Sequence, residues 1–273
     1  MKFYLGTHQP AWLARAGVPL FVAHQRLAGQ RRLPRAIAPW ALDSGGFTQL
    51  QKFGRWTFSE HAYVDAVRRY ADEIGSLEFA AAMDWMAEPW VREGGTHGGQ
   101  RFAGTGLTVR EHQHRTVDNY LRLRELAPDL PWMPVLQGWT LPEYLDCAQL
   151  YAEAGVDLAS LPLVGLGSVC RRQATAEIGT IASALAAAEI ALHGFGCKVG
   201  AMRRYAGHLA SADSLAWSRA GRHHRPCVHT GRASESNCLA FARDWRDTVV
   251  DAAERGAQAT QLALNIASHG LHV

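Results

Sequence analysis

The feature that most constrains the fold is the alternation of short apolar runs with helix-length segments along nearly the whole chain. Runs typical of buried strands occupy residues 2–6, 19–23, 39–43, 78–83, 133–137, 162–167, 190–194 and 212–216. Amphipathic patterns predict helices over 59–75, 108–127, 141–154, 173–189, 237–255 and 258–267. Strands separated by helices pair in parallel through crossovers. Eight such units in about 250 residues predict a (β/α)₈ TIM barrel, with an open doubly wound sheet as the alternative.

Composition and length favour one domain rather than several. The 273 residues are 48% hydrophobic and 19% charged, which excludes disordered, fibrous and coiled-coil chains. No linker interrupts the pattern, so we expect a single domain over 1–273 that includes a small zinc-binding subregion at 223–270, if metal binds. The most apolar window, 181–192, is too short to cross a bilayer, and residues 2–6 do not resemble a secretory signal. We therefore expect no membrane span and a cytoplasmic location in a bacterial cell.

Polar residues and glycines follow the predicted strands. They are Thr7 and His8, the DSGGF run at 43–47, Asp84, Gln137 and Gly138, the GLGS run at 165–168, the HGFG run at 193–196, and Asp213. The carboxyl ends of barrel strands form one rim, where the chemistry of such folds is found. Three carboxylates there could supply a nucleophile, an acid/base and a hydrogen-bond acceptor, while glycines allow a flat ligand to approach the backbone. This pattern is typical of glycosyl transfer, although a lone aspartate after a strand is also a common cap or turn residue.

The order of these motifs resembles that of the tRNA-guanine transglycosylase superfamily. The resemblance rests on LDSGGF at 42–47, MD at 83–84, VLQG at 135–138, GLGS at 165–168, HGFG at 193–196 and ADS at 212–214. Three further stretches, 3–8, 165–172 and 213–218, point to the DpdA-like branch, the deazapurine DNA-modification transglycosylases of phages and bacterial genomic islands. The resemblance spans about residues 3–250.

This resemblance implies an enzyme that exchanges guanine in DNA for a 7-deazaguanine such as 7-cyano-7-deazaguanine. Asp213 would be the nucleophile that forms a covalent glycosyl-enzyme, and Asp43 the general base. Asp84 and Gln137 would read the purine edge. The other residues expected near the substrate are Ser44, Phe47, Gly138, Gly167, Ser168, His8 and His193. For the two histidines, a purely structural role is an equally good interpretation.

Arginine dominates the positive charge, since 25 of the 28 basic residues are arginine and the net charge is +3. Guanidinium groups fork onto phosphate, so we expect contacts to a nucleic-acid backbone. The candidates are Arg171, Arg172, Arg203, Arg204 and Arg219. DNA and a free 7-deazaguanine base are the expected partners. The alternatives are a tRNA substrate, a non-catalytic subunit of a transglycosylase complex, and a free-nucleoside transferase or glycoside hydrolase. A homodimer or an accessory protein is also compatible with the sequence.

Five scattered cysteines do not form a disulfide framework, which leaves reduced thiols or a metal site. The tRNA enzymes hold a structural zinc with a Cys-x-Cys-x₂-Cys run and a later histidine, and this run is missing here. Cys227, His229, Cys238 and His269 offer a comparable ligand set for a structural zinc. His223 and His224 are alternative ligands, and unrelated loop residues are the other interpretation. No Walker-type loop occurs, and we expect no organic cofactor.

Overall fold

The structure is a computed structural model that describes residues 1–172 and 175–269, with side chains as far as residue 262. The strands of its central sheet are β1 Lys2–Thr7, β2 Leu20–Ala23, β3 Trp40–Asp43, β4 Leu77–Ala81, β7 Trp132–Met133, β8 Val135–Leu136, β9 Val164–Leu166, β10 Leu192–Gly194 and β11 Ser211–Ser214. The sheet is parallel throughout, with its strands in the order β7-β4-β3-β2-β1-β11-β10-β9-β8. A separate antiparallel hairpin consists of β5 Gly95–His97 and β6 Gln100–Phe102.

The two ends of the strand order, β7 and β8, are halves of one segment that Pro134 divides. Proline has no N–H to donate, so the ladder is interrupted at this position. β7 pairs with β4 and β8 pairs with β9, so the sheet returns on itself through this single segment. The predicted eight-stranded (β/α)₈ barrel is therefore confirmed, and the open sheet is excluded.

Helices follow the barrel strands, and the longer ones cover the outer face of the barrel. They are α1 His24–Leu27, α2 Gly46–Phe53, α3 Glu60–Ile74, α4 Pro89–Glu93, α5 Val109–Leu126, α6 Leu141–Glu153, α7 Ala176–Ala187, α8 Val199–Tyr205, α9 Ala216–Gly221 and α10 Leu239–His269. Single 3₁₀ turns occupy Pro10–Ala14, Leu158–Ser160, Ala206–His208 and Glu235–Asn237. Across the described part of the chain, no helix has the length and apolar character needed to span a membrane.

Local sequence signals explain where the longer helices begin. The Ser59 hydroxyl accepts a hydrogen bond from the Ala62 N–H at the start of α3. Thr108 and Glu111 form a reciprocal capping box at the start of α5. Such caps satisfy backbone N–H groups that the first turn leaves without partners. The predicted starts of these two helices agree with the structure to within a residue.

Two apolar layers hold the barrel together. The larger lies between the strands and the surrounding helices and includes Trp12, Trp40 and Tyr63, all buried. The smaller fills the barrel interior and is built from Tyr4, Phe21, Ala41, Phe79, Ala81 and Met133. Strands buried on both faces read as nearly continuous apolar runs, which is why they stood out in the sequence.

The C-terminal segment differs from the sequence-based expectation. Helices were predicted over 237–255 and 258–267, whereas α10 is one continuous helix. Gly256 lies inside it, and a β-carbon there would come within 3.2 Å of the Arg203 backbone on α8. The glycine therefore permits close packing of α10 on α8, instead of ending a helix.

Candidate active site

The carboxyl ends of the strands surround a cavity of about 380 Å³. Its walls include several of the predicted site residues: Asp43, Phe47, Asp84, Gly167, Ser168, Arg171 and Asp213. Met86, Glu88, Phe195 and Leu215 complete part of the lining. The barrel thus brings together three aspartates that lie far apart in the sequence.

Asp213 lies in β11 with its side chain almost fully buried. The Gly196 N–H donates to Asp213 Oδ1 at 2.9 Å, which fixes one oxygen of the carboxylate. His193 Nε2 is 3.5 Å from the same oxygen, while His193 Nδ1 lies 2.8 Å from Ser211 Oγ. His193 is fully buried among aromatic rings of the barrel interior and lies behind the cavity wall. His193 therefore lies next to Asp213 but does not line the cavity.

Asp43 is the last residue of β3 and faces the cavity. Its Oδ1 accepts a hydrogen bond of 2.9 Å from the Gly45 N–H, where the chain turns into α2. Gly45 has a φ of 82°, a left-handed conformation that favours glycine. Burial raises the pKa of Asp43 to about 6, the Gly45 bond opposes this, and the charge of Asp213 adds to the increase. The two carboxylates are therefore electrostatically coupled.

Asp84 follows β4 and is also buried. Burial raises its pKa to about 7, and the charge of Asp43 adds to the increase, while a hydrogen bond from Gln137 opposes it. The Gln137 Nε2 donates to Asp84 Oδ2 at 2.5 Å. Ser44 Oγ lies 3.5 Å from the other oxygen, Oδ1, at the limit of a hydrogen bond. A carboxyl with a pKa near neutrality inside a cavity is characteristic of functional sites.

Gln137 lies beneath the cavity wall and is fully buried. Its amide oxygen accepts from Ser168 Oγ at 2.7 Å. Ser168 has a φ of 54°, uncommon for a residue other than glycine, which directs its hydroxyl to this position. The same hydroxyl lies 2.8 Å from Glu88 Oε2. Glu88 was not among the predicted site residues, although it lies four residues after Asp84 on the same strand-end loop.

Arg171 forms part of the rim above Phe47. Its guanidinium carbon lies 5.2 Å from the centre of the Phe47 ring, 5.6 Å from that of Trp90 and 5.3 Å from that of Phe102. The latter two rings come from α4 and the β5–β6 hairpin, which the sequence analysis did not predict. This arrangement of a cation among aromatic rings stabilises the rim on that side of the cavity.

The remaining predicted residues lie away from the cavity wall. His8 Nε2 is 2.6 Å from Asn237 Oδ1 and its ring stacks on Trp217, so it joins β1 to the C-terminal segment. Gly138 is buried beneath the first turn of α6, where a β-carbon would come within 2.8 Å of the Tyr144 nitrogen. Arg172 stacks on Trp139 and pairs with Glu177 at 2.9 Å.

The other predicted arginines are exposed on α8 and α9. Arg203 and Arg204 lie in the last turn of α8. Arg219 lies on α9 and lines a second, open cavity together with Arg222, His223 and Arg225. Because α9 directly follows the strand that carries Asp213, this cluster of positive charge is close in the chain to the candidate nucleophile.

A group of potential metal ligands lies between α9 and α10. Cys227, His229, Glu235 and Cys238 offer ligand atoms that all lie within 4.8 Å of one another. Three of the predicted ligands are thus brought together, while the side chain of the fourth, His269, lies outside the described residues. Glu235 takes its place: its Oε2 accepts from Cys227 Sγ at 2.8 Å and its Oε1 from the Val228 N–H at 2.9 Å. Two thiols, an imidazole and a buried carboxylate suit a zinc ion chemically.

The fold and the cavity define a (β/α)₈ barrel enzyme whose carboxylates meet at the carboxyl rim of the strands. A family model described as DpdA, DeoxyPurine in DNA protein A, matches residues 1–270. The chain belongs to this family. No curated protein sequence matches the chain significantly.

Three solved structures align with most of this chain at low sequence identity. A proposed isomerase from Sinorhizobium meliloti is 11% identical, with 78% of this chain and 50% of that chain covered and a TM-score of 0.39. The YdjI aldolase from Escherichia coli K12 is 9% identical over 96% and 90% of the two chains, with a TM-score of 0.42. KGPDC from Streptococcus mutans is 10% identical over 91% and 97%, with a TM-score of 0.41. This chain spans about half the length of the first of these, and its barrel is defined by its own strand order.

Proposed function

We propose that this protein exchanges a guanine in DNA for a free 7-deazaguanine such as 7-cyano-7-deazaguanine. The observation that carries the proposal is that Asp43, Asp84 and Asp213 line the same cavity at the carboxyl rim of the barrel. Membership of a family described by deoxypurine in DNA supports the choice of polymer and of base.

Asp213 is the nucleophile in this proposal. Its carboxylate attacks C1′ of the 2′-deoxyguanosine, forming a C–O ester bond while the bond from C1′ to N9 breaks. The electron pair of that bond leaves on N9 of guanine, which takes up a proton from solvent. The hydrogen bond from the Gly196 N–H orients the carboxylate before attack.

Asp43 is the general base of the second half-reaction. It takes the proton from N9 of the incoming base as that nitrogen attacks C1′ and displaces Asp213. A pKa of about 6 leaves Asp43 mostly ionised at neutral pH and still basic enough to accept a proton. Both steps are substitutions at carbon without a change of oxidation state, so the exchange consumes no organic redox cofactor and no nucleotide triphosphate.

Asp84 reads the edge of the base. As a carboxylate it accepts hydrogen bonds from the ring N–H and the exocyclic amine that guanine and 7-deazaguanine share. Gln137 acts mainly through Asp84, since its amide nitrogen bonds that carboxylate and its amide oxygen bonds Ser168. Gly167 lets the base approach the backbone, and Phe47 offers a ring on which the flat ligand stacks.

Arginines near the rim hold the phosphate backbone around the extruded nucleotide. Arg219, Arg222 and Arg225 are the best placed of them, since they line one open cavity on the segment that follows Asp213. Binding through such groups weakens as salt rises, because it releases counterions from the nucleic acid.

The Cys227, His229, Glu235 and Cys238 cluster holds a structural zinc ion in this proposal. When bound, the ion cross-links the loop after α9 to the start of α10. Its role is to stabilise this segment, which lies next to the proposed DNA-binding arginines.

Denaturing electrophoresis tests the proposal. Wild type, Asp213→Asn and Asp43→Asn are incubated with DNA or tRNA oligonucleotides, with and without 7-cyano-7-deazaguanine. A covalent protein–DNA band in wild type, absent in Asp213→Asn and discharged by the added base, is the expected result. Asp251→Asn, which removes an exposed carboxylate from α10, is the matched control and keeps the band. A band on tRNA alone would assign the tRNA substrate, and no band on either polymer would contradict the proposed exchange.

A further inference from the structure

Four buried polar side chains form a continuous chain of hydrogen bonds at the cavity wall. Gln137 Nε2 donates to Asp84 Oδ2 at 2.5 Å, and Ser168 Oγ lies 2.7 Å from Gln137 Oε1 and 2.8 Å from Glu88 Oε2. Each of the four side chains is at most 8% exposed. The chain therefore joins two carboxyl groups, those of Asp84 and Glu88, through an amide and a hydroxyl.

Ser168 fixes the number of protons that this chain of hydrogen bonds can hold. Its hydroxyl already accepts a hydrogen bond from the Ala87 N–H at 2.8 Å. A hydroxyl has one proton and two lone pairs, so Ser168 donates to one of its side-chain neighbours and must accept from the other. When the Gln137 nitrogen faces Asp84, Ser168 donates to the Gln137 oxygen. Glu88 must then donate to Ser168, and it does so only when it carries a proton.

A second arrangement satisfies the same chain with the proton at its other end. If the Gln137 amide is rotated, its oxygen faces Asp84 and its nitrogen donates to Ser168. Ser168 then donates to an ionised Glu88, and Asp84 must be protonated to donate to the Gln137 oxygen. In both arrangements every link is made and one carboxyl of the two is protonated. With both carboxyls ionised, one link lacks a proton, and a buried unsatisfied link is costly.

The electrostatics of the two carboxyl groups agree with this count. Burial raises the pKa of both carboxyl groups, and the negative charges of Asp43 and Glu88 add to the increase at Asp84. The charged or titratable groups around them are Asp43, Tyr63 and Tyr151 on the side of Asp84, and Arg171, Arg172, Tyr144 and Cys170 on the side of Glu88. The charge of Glu88 is itself one cause of the increase at Asp84, so ionising both carboxyl groups together is disfavoured, while Arg171 and Arg172 oppose the increase at Glu88.

We propose that Asp84 and Glu88 hold one proton between them through Gln137 and Ser168, and that Glu88 is a positioning residue that keeps Asp84 ionised for base binding. The second half of this statement rests on the proposed function, in which Asp84 accepts N–H groups of a purine. A bound base requires the carboxylate at Asp84, so it selects the arrangement with the proton on Glu88. Asp84 and Glu88 both border the cavity, where water exchanges their protons. The proton therefore moves from one carboxyl group to the other while the number of protons held by the four side chains stays the same.

Infrared difference spectra between the wild type and each variant, recorded on the free protein, test the shared proton without any ligand. At neutral pH the wild type should show the carbonyl stretch of one protonated carboxyl group from this chain. Glu88→Gln supplies a permanent amide donor to Ser168, and Asp84→Asn supplies one to Gln137, so each variant alone should remove the whole signal. Glu93→Gln, the same chemical change at an exposed position five residues further on, should keep it. No such signal in wild type, or loss of only half of it in each variant, would overturn the proposal.

The pH dependence of guanine binding tests the positioning role. In wild type, guanine affinity should weaken by up to about tenfold per pH unit above the pH at which the shared proton is lost, because Ser168 then donates to Glu88 and no longer holds Gln137 in position against Asp84. In Glu88→Gln the affinity should stay nearly constant over the same range, because the amide cannot lose its donor. An identical alkaline decrease in both proteins would overturn the role of Glu88. Wild type that shows the infrared signal and yet binds no guanine would contradict the proposed function instead.

Discussion

Gly167 lies directly against the side-chain amide of Gln137. A β-carbon on Gly167 would come within 2.7 Å of Gln137 Cδ, closer than real contacts allow. Because Gln137 bonds Asp84 on one side and Ser168 on the other, this close approach sets the position of the whole buried chain. The glycine is therefore required by the geometry of its neighbour, rather than by its own backbone conformation.

Replacing Gly167 by alanine should displace the Gln137 amide and disturb Asp84. We expect guanine affinity to fall by roughly tenfold to a hundredfold, the consequence of losing one or two buried hydrogen bonds. Isothermal titration with guanine measures this. Gly179→Ala is the control, because its β-carbon meets nothing closer than 4.0 Å inside α7, where alanine stabilises a helix slightly. Unchanged guanine affinity in Gly167→Ala would show that Gln137 does not position Asp84.

The rate of base exchange should follow the ionisation of Asp43. A general base must be ionised to accept a proton, so kcat should fall about tenfold per pH unit below about pH 6. Asp43→Asn should lose roughly 10²–10⁴-fold in kcat and show no such acid decrease. Measuring kcat with saturating 7-cyano-7-deazaguanine isolates this step from base binding. A wild-type kcat that is constant from pH 7 to about pH 5 would contradict this assignment.

Asp43→Asn should also stabilise the fold at neutral pH. The folded-state pKa of Asp43 is raised above its ordinary value, so its favourable contribution is complete at low pH and is lost as pH rises through about 6. Each pKa unit is worth about 1.4 kcal/mol, so Asp43→Asn should gain about 1–3 kcal/mol above pH 7 and nothing below about pH 4. Urea unfolding at several pH values measures the difference. Asp251→Asn, on the exposed side of α10, should stay within about 0.5 kcal/mol of wild type at every pH.

Purified protein should contain about one zinc ion per chain if the cluster of Cys227, His229, Glu235 and Cys238 binds metal. Chelation should then lower the melting temperature by about 5–10 °C, corresponding to a few kcal/mol in a chain of this size. Glu235→Gln should weaken zinc retention, while Val228→Ala, an 83% exposed position in the same loop, should not. Absence of metal from protein purified without chelators would favour the interpretation of unrelated loop residues.

The barrel and the strand-end aspartates were predictable because both leave local signals. Strands buried on two faces read as apolar runs, and Asp43, Asp84 and Asp213 follow or lie within such runs. A parallel arrangement then places the carboxyl ends on one rim without further information. The hairpin around β5 and β6 was missed because its short strands are largely exposed and lack an apolar pattern.

The sequence by itself determined the eight strands, their order along the chain and the residues at their carboxyl ends, since each depends on neighbours a few residues away. Only the tertiary structure decided which of these residues face the cavity and which lie behind it. Glu88 and Ser168 share a hydrogen bond although they are 80 residues apart. His8 bonds Asn237 across 229 residues instead of facing the cavity. Such contacts depend on barrel closure and side-chain packing, which no local pattern of residues records.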